Sequence, residues 1–367
     1  EWELADVQVR ILTIDAEAVV QATVDSVPDG IDDIRVIAED EIAIEGANVH
    51  VVPEAFECTA TNKGRAVEWA RRNVPCDREY VLYLDEDTLM AGFQGLPDAD
   101  VVQFTEKPLY TGSRITYLCE VFRVGYQFEQ FGFHRLRYPL YAWGGGVAVR
   151  ASLEAQITWD APTITEDTNF LWRAADATDL SFGVVDARFR NQAPPSVRAM
   201  IKQRRRWLTG TRQQQELLPF QYRLMYQVRD LGWALSVFAP LLWVASAFSY
   251  AGIIEISLLP VFFPGAYIVL TIVLLGHVYA WSIIGVLTYR PPVPVWILLI
   301  LFTPVIVTVH SLGALYGLVR PASGFAVTRK VVNGGTEPTV RADPNVGPDS
   351  STTTGRIAED GGNRPEK

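Results

Sequence analysis

Three short stretches hold residues whose types and spacing could do chemistry. Asp85-Glu86-Asp87 directly follows the apolar run VLYL. Two carboxylates one residue apart at a strand end can hold a divalent cation, which in turn holds a diphosphate; the same tripeptide also serves as a solvated turn. Thr165-Glu166-Asp167, inside TWDAPTITEDTNFLWRAA, reads in two ways. Thr165 can cap a helix whose first turn is acidic, or Asp167 and Glu166 can present a carboxylate to a ligand as a general base. In IKQRRRWLTG (201–210), on a helix opened by Pro194-Pro195 and capped by Ser196, residues Gln203, Arg206 and Trp207 stand at i, i+3 and i+4 and share one face. Arginine there suits a diphosphate, the indole an apolar platform and the amide a hydroxyl. Arg204 and Arg205 point elsewhere, toward the membrane surface or a structural role.

Elements with a different periodicity must position these groups. VQVRILTI (7–14) is a β-branched run, and AEAVVQATVDSV (16–27) switches to helical spacing. DIRVIAED (33–40) and NVHVV (48–52) read as strands, NKGRAVEWARRNV (62–74) as a helix opened by Asn62, and EYVLYL (79–84) as a buried strand. Alternating strands and helices predict a mostly parallel sheet with helices on both faces and ligands beyond the carboxyl ends of its strands. The acidic motifs fall at that edge. AWGGGVAVR (142–150) adds three glycines that permit close approach to a ligand or a tight turn.

Composition divides the chain. From Leu231 to Leu318 the charged side chains are Glu255 and Arg290, so this third belongs in a membrane, with spans expected near 231–250, 266–288 and 294–318. The stretch 252–264, broken by Pro260 and Pro264, is short for a crossing. Beyond Val331 the chain lacks aromatic residues and is expected to be disordered. Cys58, Cys76 and Cys119 are odd in number and widely spaced, which suggests neither a disulfide framework nor a zinc site and fits a reducing compartment. The chain starts at Glu1 rather than at methionine, which leaves room for a segment before it. A formal charge of -10 argues against nucleic acid as a partner. With five lysines among 32 basic residues, the acidic surface resembles those of salt-loving microbes such as archaea.

Taken in order, Asp85-Glu86-Asp87, Thr165-Glu166-Asp167 and Gln203 to Trp207, followed by membrane helices, resemble family 2 glycosyltransferases of the cellulose synthase and hyaluronan synthase type. YAWGGGVAVR, TEDTNFLWRA and QRRRWLTG look closest to the Egghead-type β-1,4-mannosyltransferases. The resemblance spans roughly residues 7 to 330 and implies an α/β GT-A (nucleotide-diphospho-sugar transferase, Rossmann-like) domain followed by a transmembrane helical region. It implies an inverting, metal-dependent transfer from a nucleotide sugar. Asp85 and Asp87 would hold Mg²⁺ or Mn²⁺ and the diphosphate, Asp167 beside Glu166 would be the base, and Gln203, Arg206 and Trp207 would line the acceptor and diphosphate site. Thr13, Asp15, Asp40, Lys63 and Asp85 would contact the nucleotide, although LTIDAEA (12–18) lacks the proline, tyrosine and asparagine usual in the first of these positions.

Phe325-Ala326-Val327-Thr328-Arg329-Lys330 fits the Phe-x-Val-Thr-x-Lys gating loop of cellulose synthases, which would place Thr328 near the donor diphosphate; it also reads as a short basic juxtamembrane stretch. The division expected is a cytoplasmic catalytic domain at 1–215, an interface helix and transmembrane helices at 216–320, a gating-like loop at 321–331 and a disordered tail at 332–367, in a multi-pass protein of the cell membrane. The donor is GDP-mannose or a UDP-sugar, and the acceptor lipid-linked or a saccharide. A processive polysaccharide synthase and a catalytically inactive nucleotide-sugar-binding subunit are the alternatives.

Overall fold

The computed structural model describes residues 2–133, 136–254, 264–324 and 330–331. Strands β1 (Val7–Thr13), β2 (Asp33–Ala38), β3 (Asn48–Val51), β4 (Tyr80–Asp85), β5 (Val101–Leu109), β6 (Val147–Arg150) and β7 (Phe182–Gln192) form one sheet in the order β3-β2-β1-β4-β6-β5-β7. The first four in that order run parallel, and β5 and β7 pair in parallel, but β6 is antiparallel to both its neighbours. The sheet is therefore mixed rather than uniformly parallel, with the reversed strand directly beside the one that ends in Asp85.

Period-two alternation sorts each strand's side chains onto two faces. Val9, Ile11, Tyr80, Leu82 and Leu84 pack with Val20 and Val24 of α1 (Glu17–Val24). Leu12, Val81, Tyr83, Val147 and Val149 pack on the opposite face with α2 (Lys63–Asn73), α4 (Ala151–Ile157) and α5 (Glu166–Ala177). The acidic tripeptide and the start of α5 thereby reach the same end of the sheet.

Two further helices join this domain to the apolar third of the chain. α3 (Arg114–Gly132) crosses α9 (Pro264–Tyr289) at paired glycines: a Cβ on Gly125 would lie 2.5 Å from the Trp281 carbonyl oxygen, and one on Gly285 would lie 2.7 Å from that of Val121. α6 (Val197–Gln214) lies against α10 (Val293–Val319), where a Cβ on Gly313 would come within 2.5 Å of Arg204 Cβ and 2.6 Å of the Ile201 carbonyl. Small residues let the backbones approach this closely.

The described residues include three helical stretches long and apolar enough to cross a membrane, Phe220–Tyr250, Ile268–Thr288 and Val293–Val319. The first differs from the expected 231–250. It is two helices, α7 (Phe220–Leu235) and α8 (Ala239–Tyr250), joined by a tight turn at Ser236–Phe238. Arg229 pairs with Glu129 of α3 at 2.8 Å and Asp230 accepts from Gln215 at 2.7 Å, so α7 is fastened to the domain on one side. On the other, Phe220, Leu224, Val228, Leu231 and Leu235 form an exposed apolar stripe of helical spacing. Most of 252–264 and the tail beyond 331 lie outside the described residues.

Candidate active site

The site is assembled around one lysine. Lys63, the first residue of α2, reaches Asp85 Oδ1 at 2.8 Å, Glu166 Oε1 at 3.3 Å and Asp167 Oδ2 at 3.7 Å. Asn62 before it adopts a positive φ of 51°, which asparagine tolerates better than most residues. Burial lowers the Lys63 pKa, but Asp167, Asp85 and Glu166 outweigh it and hold the ammonium well above its ordinary value. Burial likewise raises Asp85, yet Lys63 and Lys330 bring it below the usual carboxylate range. Asp167 responds differently. Burial pushes it up to about 7, with Lys63 opposing and Glu166 and Asp85 adding to the rise. Glu86 is also lifted to about 7 by burial, against Lys330 and the hydroxyl of Thr13, which donates to it at 2.8 Å.

The glycine run forms the wall over this cluster. The amide of Asp85 donates to the Gly144 carbonyl at 3.1 Å, and a Cβ on Gly144 would stand 2.4 Å from Lys63 Nζ and 2.8 Å from Asp85 Oδ1. The lack of a side chain at Gly144 thus makes room for Lys63 and Asp85, and Gly146 has a φ of 128°.

Asp87 is held from two directions. Its Oδ2 accepts from the Gln192 amide at 2.9 Å, and its Oδ1 pairs with Lys330 Nζ at 2.6 Å. Lys330 comes from the segment after α10. The Gln192 side chain fixes that segment by accepting from Val331 N at 2.7 Å and donating to Val331 O at 2.9 Å. The segment's other flank is tied to α6, because Arg205 donates to the carbonyls of Arg320 and Pro321 at 2.8 and 2.9 Å.

A cavity of about 730 Å³ unites Lys63, Asp85, Asp87, Glu166, Asp167 and the α6 face of Gln203, Arg206 and Trp207. Arg206 donates to the Ile164 carbonyl at 3.2 Å, and α6 approaches Thr165 so closely that a Cβ on Gly210 would meet its Cγ2 at 2.4 Å. Among the described residues, Thr13, Asp15 and Asp40 are not in the lining. They stand at the ends of β1 and β2, where the Asp40 amide donates to Ile14 O at 3.0 Å. Thr328 lies outside the described residues.

One expectation needs correction and one alternative is resolved. Ser196 caps α6 by accepting from Ala199 N at 3.2 Å, but the Thr165 side chain does not cap α5; it is turned toward Thr163 and packed under α6. Of the two roles open to Arg204, the membrane surface or a structural one, it has the structural one. It is fully buried, ion-paired with Glu120, and 4.2 Å over the Trp207 ring. Glu120 also binds Arg123 at 2.6 Å, and Arg123 binds Glu106 at 2.8 Å. Glu106, Glu120 and Arg123 of this buried row line the cavity, and the row carried no local sequence signal, since Glu120 and Arg123 stand in α3 at a spacing that an exposed polar face would also show. Gln192 had none either, whereas Lys330 closes the Phe-x-Val-Thr-x-Lys match.

Asp85 and Asp87 have the donor chemistry for Mg²⁺ or Mn²⁺, which take one or two carboxylates together with water and substrate phosphates. Each carries an ammonium on one oxygen, so the pair already sits where positive charge is favoured. Among the described residues, no group of three or more His, Cys, Asp or Glu is placed to hold a metal.

Residues 80–309 match the family described as Glycosyl transferase family group 2. Among solved structures, a mannosyltransferase from Pyrobaculum calidifontis in complex with GDP-Man and Mn²⁺ is similar at 13% identity and a TM-score of 0.48, covering 83% of this chain and 89% of that one. A glucosyl-3-phosphoglycerate synthase from Mycobacterium tuberculosis in complex with Mn²⁺ and UDP-glucose is similar at 17% identity and 0.32, covering 50% and 70%. A mannosyl-3-phosphoglycerate synthase from Rubrobacter xylanophilus is similar at 20% identity and 0.31, covering 50% and 67%. No curated protein matches significantly. With well over half its length matched, a mixed sheet of GT-A type and apolar helices after it, the chain belongs to glycosyl transferase family group 2.

Proposed function

We propose that the protein is a membrane-bound, inverting glycosyltransferase that moves one sugar from a nucleoside-diphosphate donor to a hydroxyl of a membrane-held acceptor. The observation that carries this reading is the pairing of two carboxylates with opposite character across one lysine. Asp85 is held ionised, whereas Asp167, on the other side of Lys63, is raised to about 7. A carboxylate with that affinity for protons is suited to take one from an acceptor hydroxyl near neutral pH.

In this scheme Asp85 and Asp87 would hold the divalent cation and, through it, the donor diphosphate. When bound, the cation supplies charge neutralisation for the departing nucleoside diphosphate. Arg206 and Lys63 add fixed positive charge to the same wall. Gln203 and Trp207 orient the acceptor so that its hydroxyl attacks the anomeric carbon from the face opposite the leaving group, and Asp167, with Glu166 beside it, accepts the hydroxyl proton. The nucleoside would lie toward Thr13, Asp15 and Asp40, at the neighbouring strand ends.

The membrane reading rests on connectivity. α9 and α10 are each long enough to cross a bilayer at about 1.5 Å per residue, and α7, fastened to the domain with its apolar stripe outward, suits the interface. The chain leaves the domain at the end of α6 and returns beside α6 at Arg320. That return supports an even number of crossings and a catalytic domain on the cytoplasmic face. The docking of Lys330 on Asp87 favours a second reading, in which the segment opens and closes over the donor during processive synthesis.

The test is nucleoside diphosphate release by the detergent-purified protein from GDP-mannose, UDP-glucose and UDP-N-acetylglucosamine, with and without Mg²⁺ or Mn²⁺ and a membrane lipid extract. Metal-dependent release from one donor is expected, with one sugar added to the product. A ladder of products would replace single transfer by polymerisation, and donor binding without release from any of the three would overturn the enzymatic reading.

A further inference from the structure

The two segments that carry Lys63 and Asp167 into the site are strained where they meet. Among the described residues four non-glycine residues have positive φ, and two of them, Asn62 and Thr158, flank one seam. Asn62 (φ 51°, ψ -127°) immediately precedes Lys63, and Thr158 (φ 60°, ψ 166°) follows α4 on the way to Glu166 and Asp167. In both, ψ lies outside the left-handed helical well, and for β-branched threonine the conformation is an outlier. Such strain persists only where the surroundings over-determine it, and it collects at functional sites.

The surroundings here are polar and form one continuous chain. Arg173 of α5 donates to the carbonyls of Ile157 and Thr158 at 2.7 and 2.8 Å. The Trp159 amide donates at 2.8 Å to Glu68 of α2, which is 0% exposed. Asp160 then takes three donors: its Oδ1 accepts from the amides of Thr59 and Ala60 at 2.6 and 3.0 Å, and its Oδ2 accepts from Arg72 of α2 at 2.8 Å. The seam closes at Gly64, where a Cβ would lie 3.5 Å from Ala60 Cβ and 3.7 Å from Glu166 Cβ. Asp160 does not line the cavity. It ties the segment leading into Lys63 to the segment leading into Glu166 and Asp167.

We propose that Asp160 is a positioning residue: by pinning Thr59 and Ala60 it imposes the Asn62 conformation that starts α2 with Lys63 Nζ between Asp85 and Asp167. The roles of those two carboxylates rest on the glycosyltransferase reading above, whereas the clamp is a matter of backbone geometry. Without it, Asn62 relaxes and the Lys63 ammonium leaves Asp85. Asp85 then loses a cation that competes with a metal ion. Asp167 loses one too. Of the charges facing it, Lys63, Glu166, Asp85 and Arg206, Arg206 is left to oppose the two carboxylates.

Mn²⁺ binding to the detergent-purified full chain, measured by electron paramagnetic resonance without donor, follows the Lys63–Asp85 contact. Asp160→Ala is expected to tighten binding about five-fold. Lys63→Ala should tighten it at least as much, and the double variant should match Lys63→Ala, because the first substitution acts through the second residue. If Asp160→Ala does not fold, Asp160→Asn keeps an acceptor for the two amides but loses Arg72, and should tighten binding about two-fold. Unchanged or weaker binding in the folded variant, or tightening that persists in full without Lys63, would overturn the role. In turnover, the same displacement should move the rise of kcat/KM in Asp160→Ala to higher pH; a lower rate with an unmoved profile would reduce Asp160 to a structural residue. Failure of the wild type to release nucleoside diphosphate from any donor would instead count against the glycosyltransferase reading, and the Mn²⁺ comparison would still be readable because it needs no turnover.

Discussion

Replacing Arg204 by methionine removes a charge that the fold has taken out of water. Arg204 is 0% exposed and its partner Glu120 is 5% exposed. Burial alone would raise Glu120, but Arg204 first and Arg123 second bring it from 4.5 down to about 2. At about 1.4 kcal/mol per pKa unit, that difference corresponds to about 3–4 kcal/mol of interaction favouring the ionised carboxylate. On the other partner burial prevails, and the Arg204 pKa is lowered, because Arg204 faces one carboxylate and a like charge whereas Glu120 faces two cations. The Glu120 side is the better guide to the loss, since that carboxylate stays behind when Arg204 is removed. Arg123 still neutralises part of it, so the expected cost is about 3 kcal/mol, at the low end for a broken buried pair. The assay is urea or thermal unfolding of the detergent-solubilised protein. Arg204→Met combined with Glu120→Gln should recover much of the loss. The linkage has a sign as well: the contribution of a depressed carboxylate is present above about 4.5 and lost as pH falls toward about 2, so wild type and Arg204→Met should converge in acid. A loss under about 0.5 kcal/mol, as for a surface arginine, would refute the reasoning.

Further outcomes follow from the same geometry. Asp167→Asn should lower turnover by about 10²- to 10⁴-fold with donor affinity nearly intact, and retention of most turnover would remove Asp167 from the mechanism. Since the base must be ionised and Asp167 lies at about 7, kcat/KM should rise with pH through that region; a flat profile from pH 6 to 8 would mean that another group takes the proton. Lys330→Ala removes an ammonium from Asp87 and should tighten Mn²⁺ binding measured by electron paramagnetic resonance without donor, with weaker binding counting against competition for that carboxylate. Gly313→Ala forces a methyl group against Ile201 O and Arg204 Cβ and should destabilise by about 1–3 kcal/mol, seen as a lowered Tm; an unchanged Tm would show that α10 can shift away from α6.

The sequence alone determined the alternation of strands and helices from Val7 to Asp85, the apolar third of the chain, and the alignment of Gln203, Arg206 and Trp207. Each of these is a local matter of period, length or capping, and is therefore written in neighbouring residues. The family was legible for the same reason, as an order of short motifs. What the tertiary structure decided is which separated groups meet. Lys63 joins Asp85 to Asp167, two residues far apart in sequence, Lys330 returns to Asp87 from beyond the last apolar helix, and Arg204 turns inward to Glu120. RRR looks the same in sequence whether its arginines face solvent, lipid or a buried carboxylate. Burial and the partner's position set the choice, and both come from how α3, α6 and α10 pack.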